Sequence, residues 1–402
     1  MPSLHSVIVI SQWINVPPIS YVYVSLAIIF SYILSQINKT MTSWYLVSVF
    51  VPVIVATIIY RLEPFEPVHF PSDQLSRTTS TVPTRNEHMR RGSEVVGDGK
   101  LAGPEDLLYD TDSGVIYTGC GDGWIKRVTV NESVAENWVN TGGRPLGLAL
   151  GSNGEVIVAD AEKGLLRVTK EKEIEVLAYE VEGLKFKLTD GVDIAKDGTI
   201  YFTDASYLYS LKDYVFDILE GNPHGRLMSY NPTTNKTTLL AGNLYFANGV
   251  VVSPDQTFVV VCETVLSRCR KYFIHGPKKG SIEKFIEDLP GMPDNIHYDG
   301  EGHYYIGMTM ALTRSWDLLL RYPFIRKAAA ILVKLIGNPH LENNAGIFIV
   351  DLEGKPVAYY HDPDLKLIAS GIKIGNHIYC GSILYSYILR LDVKQYPALP
   401  VS

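Results

Sequence analysis

The feature that most constrains this chain is a phrase that recurs six times. Each copy is a short apolar strand, a turn holding Asp or Gly, and a second strand rich in β-branched residues. The copies are PEDLLYDTDSGVIYTG, RPLGLALGSNGEVIVAD, LTDGVDIAKDGTIYFTD, FANGVVVSPDQTFVVVCE, MPDNIHYDGEGHYYIG and, more loosely, IASGIKIGNHIYCGS. Their corresponding starts fall at Glu105, Leu146, Asp190, Asn248, Asp294 and Ser370. Most spacings are in the forties, the length of one four-stranded propeller blade. Six copies predict an all-β fold, a six-bladed β-propeller over residues 99–395.

A propeller arranges its sheets around an axis, so the same point of every copy faces the central channel. Four of the six copies place Glu105, Asp190, Asn248 and the pair Asp294-Asn295 there. These are oxygen donors, the ligand type that a hard cation such as Ca²⁺ takes. Asp and Asn also start turns for purely local reasons. Turn use alone would scatter them in register, whereas here they share one register just before an apolar strand. The pattern predicts a channel that binds a metal or a polar ligand.

Composition removes some alternatives. With 46% hydrophobic residues the chain has enough apolar surface to offset ordering entropy, which excludes a disordered polymer. A net charge of -7 and no basic block argue against nucleic acid as a partner. None of the four cysteines forms a CxxC pair, which argues against thiolate zinc. Cys262 and Cys269 flank the turn between two apolar runs, where a bridge across a hairpin and two buried free thiols are both compatible with the sequence.

Outside the repeats the chain changes character. Residues 1–61 contain two apolar runs, 21–37 and 44–60, the second (WYLVSVFVPVIVATIIY) closed by Arg61. They predict an N-terminal membrane anchor of one or two spans. Residues 62–98, rich in Ser, Thr, Pro and charge, read as a stalk. Charge placement favours a lumenal body, in the endoplasmic reticulum or the vacuole, and the sequons at Asn131 and Asn235 fit a glycoprotein. Between the fifth and sixth copies an insert of about 311–340 has apolar residues at helical spacing, interrupted at Pro323, with Arg314, Arg321, Arg326, Lys327 and Lys334 among them. It reads as a helix on the propeller rim, a lid over the channel, or a membrane-facing amphipathic helix.

Several segments carry a family resemblance: GPEDLLYD (103–110), GRPLGLAL (143–150), KLTDGVDIAKDGTIYFTD (187–204), NPHGRLMSYNP (222–232), FANGVVVSPD (246–255) and LPGMPDNIHYDGEGHYYIG (289–307). They resemble the strictosidine synthase-like family in its plant branch. They are also similar to the wider group of six-bladed propellers that includes paraoxonases and the adipocyte plasma membrane-associated protein. For the paraoxonase-like members the resemblance implies a channel calcium held at positions that fall on Glu105, Asn248, Asp294 and Asn295, with Asp190 where that pattern has Asn.

The catalytic positions depart from both patterns. The strictosidine synthase Glu, a base for Pictet–Spengler condensation, falls near Lys366, with Asp364 the nearest acid. A Lys does not replace a carboxylate base at neutral pH without a large fall in its pKa. The paraoxonase-type His falls on Leu146. His297, two residues beyond Asn295 and on the same strand face, is a further candidate base. His224 reads as a structural hydrogen-bonding residue. There is no G-x-S-x-G elbow and no H-E-x-x-H motif. The sequence therefore predicts a metal-assisted hydrolase acting on a small apolar ester or lactone in the channel. A condensing enzyme using Asp364, or a binding protein without catalysis, are the alternatives. Oligomeric state is not legible.

Overall fold

The computed structural model describes residues 41–71, 75, 81–130, 132–338 and 343–401. It divides into two units, residues 1–65 and 66–402. The first contains a helix, Met41–Leu62. No helix among the described residues is long and apolar enough to cross a membrane, so the expected anchor is not shown, and the run 21–37 lies outside the described residues.

The second unit is a six-bladed propeller. Blade one consists of Leu107–Asp110, Val115–Gly119, Trp124–Thr129 and Val134–Asn140. Blade two follows with Pro145–Leu150, Val156–Asp160, Gly164–Val168 and Ile174–Ala178. Blade three has Thr189–Ile194, Ile200–Asp204, Gly225–Asn231 and Lys236–Leu244. Blade four has Ala247–Val252, Phe258–Glu263, Arg268–Phe273 and Ile282–Ile286. Blade five has Gly291–Tyr298, His303–Ala311, Ala345–Asp351 and Pro356–Asp362. The first strand of each is innermost, as the repeat predicts.

Blade six has only three strands from its own stretch of chain, Ile368–Ile374, His377–Ser382 and Ile388–Asp392. Its fourth is Ser93–Val96, which pairs antiparallel with the last of these, Glu94 opposite Arg390. Thr84–Asn86 also joins the propeller, running parallel to the outer strand of blade five. The segment read as a stalk over 62–98 is corrected accordingly: its second half contributes two strands to the propeller, with a short helix, Met89–Gly92, between them. A polar composition does not prevent pairing on an outer edge, where one buried residue such as Val96 suffices.

The core is divided among the six blade-to-blade interfaces. Ile125, Leu148 and Val158 fill the contact of blades one and two, and Val251, Ile296 and Phe348 that of four and five. Val96, Leu107, Ile116 and Ile388 close the ring between six and one. Buried acids at the ends of second strands tie the corners. Asp160 accepts from the Arg144, Glu162 and Lys163 amides and the Thr141 hydroxyl. Asp204 accepts from the Lys187 and Leu188 amides and from Arg226.

In an up-and-down blade, the loop from second to third strand returns to the face where inner strands begin. Three helices sit in such loops: Tyr214–Glu220 in blade three, Arg314–Arg321 and Pro323–Ile336 in blade five. The break comes at Pro323, the first residue of the last helix, where its missing amide costs nothing. Trp316 and Leu320 of the insert, Tyr214, Ile218 and Phe70 pack with Leu146, Leu188 and Phe246, which lie at or just before inner-strand starts. The insert therefore covers the channel-mouth face.

Cys262 and Cys269 are directly opposed on neighbouring strands of blade four and form a disulfide. Of the alternatives open in the sequence, the bridged one is found; Cys120 and Cys380 are free and buried. Asn235 occupies an exposed turn with a positive φ of 51°, and Asn131 lies outside the described residues.

Candidate metal centre in the central channel

In blades two, three and four a glycine follows the channel position: Gly147, Gly191 and Gly249. A Cβ at Gly191 would stand 2.7 Å from the Asn248 carbonyl oxygen, and one at Gly249 2.5 Å from that of Asp294. Bare backbone lets adjacent inner strands touch there, and the preceding side chains converge. Thr203 supports the arrangement, accepting from the Gly191 amide and donating to the Asn248 carbonyl.

Glu105, Asp190, Asn248, Asp294 and Asn295 are all buried. Carboxylate oxygens of Glu105, Asp190 and Asp294 lie within 4.8 Å of one another. Asn295 Nδ2 donates to Glu105 Oε1 at 2.6 Å, bridging blades five and one. Glu105 Oε2, Asp190 Oδ1 and Asn248 Oδ1 are buried without a hydrogen-bond partner.

Burial, then the charges of Asp294 and Asp106, push Glu105 well above the usual carboxylate range, against the pull of Arg144 and Asn295. Asp190 is raised by burial and by Glu105, Asp106 and Asp204. Asp294 is raised by burial and by Asp190, eased by a hydrogen bond from Asn248. Three such carboxylates do not all ionise side by side without a counter-charge. An oxygen-only donor set with three orphaned buried oxygens fits a hard divalent cation, which reverses this pKa logic.

One layer along, Asp106 organises a second group. Its Oδ1 accepts from His297 Nε2 at 2.6 Å and from the Ser370 hydroxyl at 2.8 Å, and its Oδ2 from the Leu148 amide at 3.0 Å. Burial works to raise Asp106, but His297, by charge and hydrogen bond, holds it below its ordinary value. Asn295 and His297 do share a face as alternation requires, one reaching Glu105 and the other Asp106. That engagement commits His297 Nε2 to Asp106 and leaves its other ring nitrogen as the one that would serve a channel base. Asp364 is not brought to the site: its side chain is 78% exposed and its nearest cation is Arg90 at 3.9 Å. The turn that buries Leu365 points Asp364 outward. His224 is bonded to buried Asp217, which also accepts from Ser206. Asp106, Arg144 and Ser370 were missed as site residues; the acid doublet Glu105-Asp106 was the one available signal.

A propeller whose channel gathers buried, unsatisfied oxygen donors defines the class. The chain belongs to the strictosidine synthase-like family. The family model described as Strictosidine synthase matches residues 190–277, and Strictosidine synthase-like, N-terminal matches 84–128. Protein STRICTOSIDINE SYNTHASE-LIKE 6 of Arabidopsis thaliana is 52% identical over 356 residues, 87% of this chain and 95% of that protein. The human adipocyte plasma membrane-associated protein is 31% identical, covering 76% of this chain and 78% of its own. Among solved structures, a gluconolactonase from Xanthomonas campestris superposes with a TM-score of 0.56 at 12% identity, covering 82% of this chain and 99% of that one. A calcium-binding protein, regucalcin, from Agrobacterium tumefaciens gives 0.55 at 14%, covering 81% and 98%. At these identities the structural matches establish the fold.

Proposed function

We propose that the channel is a cation-dependent hydrolytic site for a small apolar ester or lactone, with Ca²⁺ as the cation. The observation that carries this is the convergence of three carboxylates and two amides with Glu105 Oε2, Asp190 Oδ1 and Asn248 Oδ1 left unpartnered. Glu105, Asp190, Asn248, Asp294 and Asn295 would hold the ion, which supplies carbonyl polarisation and activation of water. Asn295 fixes one oxygen of Glu105 and leaves the other directed to the site. A carboxylate of the cluster takes the proton from the attacking water. Leu146, Leu188 and Phe246, packed beneath the insert, make that end of the channel apolar, which suits an uncharged substrate. Propellers of this fold include proteins described as gluconolactonase and calcium-binding regucalcin, which agrees with the reading.

The position corresponding to the strictosidine synthase base carries exposed Lys366, so condensation is the weaker reading. Membrane association is supported by relatives described as plasma membrane-associated, and an oxidising lumen, endoplasmic reticulum or vacuole, by the Cys262–Cys269 bridge. Calcium titration calorimetry, paired with the double variant Asn248→Ala/Asp294→Ala and a panel of lactones and esters, tests the proposal. Binding in the parent that is lost in the variant, with calcium-dependent turnover, is the expected result. No calcium binding in the parent sinks it.

A further inference from the structure

The last helix of the insert, Pro323–Ile336, is inside out. Its cations Arg326 and Lys327 are buried, and Arg326 is 0% exposed. Phe324, Leu332, Leu335 and Ile336 on the opposite face are exposed, at 60%, 49%, 58% and 67%. Their spacing of eight, three and one residues keeps them on one helical stripe. Leu318 and Tyr322 from the preceding helix and turn extend the exposed apolar surface.

The buried cations are not misplaced. Arg326 Nη1 donates to the carbonyls of Leu219 and Glu220, closing the end of the blade-three helix, and Nη2 donates to the Val68 carbonyl. Its guanidinium lies 4.6 Å from the centre of the Phe70 ring. Lys327 Nζ meets Glu66 Oε1 at 2.6 Å. The inner face is thus fixed by polar contacts, and the helix turns its oily side outward where water would ordinarily meet charge.

Two further observations choose the occupant of that face. Arg314 and Arg321 are exposed on the insert, with Asp317 the one acid between Arg314 and Ile336, although the whole chain carries -7. A basic, apolar surface on an acidic protein complements an anionic lipid surface. In addition, Glu66 and Val68 are bonded to this same helix, and the uncharged run 44–60 ends six residues before Glu66 in sequence.

We propose that the exposed face of the insert, Phe324, Leu332, Leu335 and Ile336 with Leu318 and Tyr322, docks at the headgroup–acyl boundary of an anionic bilayer. This deepens the membrane-association reading above and rests on it. The channel mouth, beneath the same insert, then draws on compounds dissolved in the membrane.

The test uses the full chain in vesicles of equimolar phosphatidylcholine and phosphatidylserine. An environment-sensitive fluorophore is placed on Phe324→Cys or Leu335→Cys, with Val176→Cys, exposed on the outer strand of blade two, as control. The native free thiols are buried and the other two cysteines bridged, so the introduced thiol is the reactive one. The insert labels are expected to shift to the blue and lose most of their emission to a lipid-borne nitroxide, while the control keeps its own. Co-sedimentation with labels that stay bright and water-exposed overturns the docking face alone. Failure of the whole chain to co-sediment overturns the membrane reading with it. Self-quenching that grows with protein density, without loss to the nitroxide, assigns the face to a second copy and overturns the proposal.

Discussion

Asp204 and Asp190 lie on neighbouring strands of blade three, both out of water, and only Asp204 has its charge answered. Two backbone amides and the Arg226 guanidinium point at it, and burial still pushes it up to about 6. Asp190 has Oδ1 without a partner and faces Glu105 and Asp294. The same contrast repeats around the ring: Asp160 and Glu263 are satisfied at blade corners, Glu105 and Asp294 crowd the channel. Buried carboxylates at the corners hold strands together; those in the channel repel one another and are held in place by the strands. Burial therefore does not tell a structural acid from a functional one, whereas unanswered charge does.

The contrast is breakable by substitution. Asp204→Ala leaves Arg226 buried without its partner and is expected to cost about 3–5 kcal/mol, read from the urea midpoint. Asp190→Asn in chelated protein is expected to be neutral or stabilising, because it relieves repulsion. Equal losses in both variants would make Asp190 a corner acid like the rest.

The pH dependence of the chelated protein comes next in size. Folded-state values raised above the ordinary ones mean stability that is complete in acid and lost as pH rises. Asp193, which accepts from the Val252 amide, and Asp204 move from 3.8 to about 6, and Glu105, Asp190 and Asp294 shift in the same direction. Raised His297 has the same sign. Each proton released costs up to about 1.4 kcal/mol per pH unit. The melting temperature should fall as pH rises from about 4 to about 6, and excess calcium should flatten the part due to the channel acids. Depressed Asp106 acts only in stronger acid, with the opposite sign. A melting temperature that climbs across this window without calcium would show that the channel acids are not strained.

A smaller effect is mass action. Calcium at about a hundredfold above its Kd should stabilise the parent by about 2.7 kcal/mol and leave the double variant Asn248→Ala/Asp294→Ala unmoved in thermal melts. Smallest is Asn295→Ala, which frees Glu105 to rotate. It should weaken calcium binding about 10–100-fold by calorimetry with the fold intact.

The six-fold architecture was legible because a period of about one blade survives any ambiguity in strand ends, and the channel quintet because one register repeats. What escaped depends on contacts distant in sequence. Ser93–Val96 is strand only because Arg390 and Leu391 lie beside it. Asp106 and Ser370 acquire meaning only when blades five, six and one converge on His297. Asp364 looked like a channel acid by proximity to a motif, and the direction of a single turn places it in solvent. The cysteine pair was ambiguous until strand register opposed them.

The strand that completes blade six also sets a timetable. Glu94 meets Arg390 across 296 positions, so one segment of the ring must wait for another made far later. Until Ile388–Asp392 leaves the ribosome, the nascent chain is an open arc with a raw edge at each end. Blades can form one after another, but none of those arrangements encloses a channel. Loss of the strand Ile388–Asp392 would therefore remove the clasp from the ring and open a channel whose acids all lie upstream.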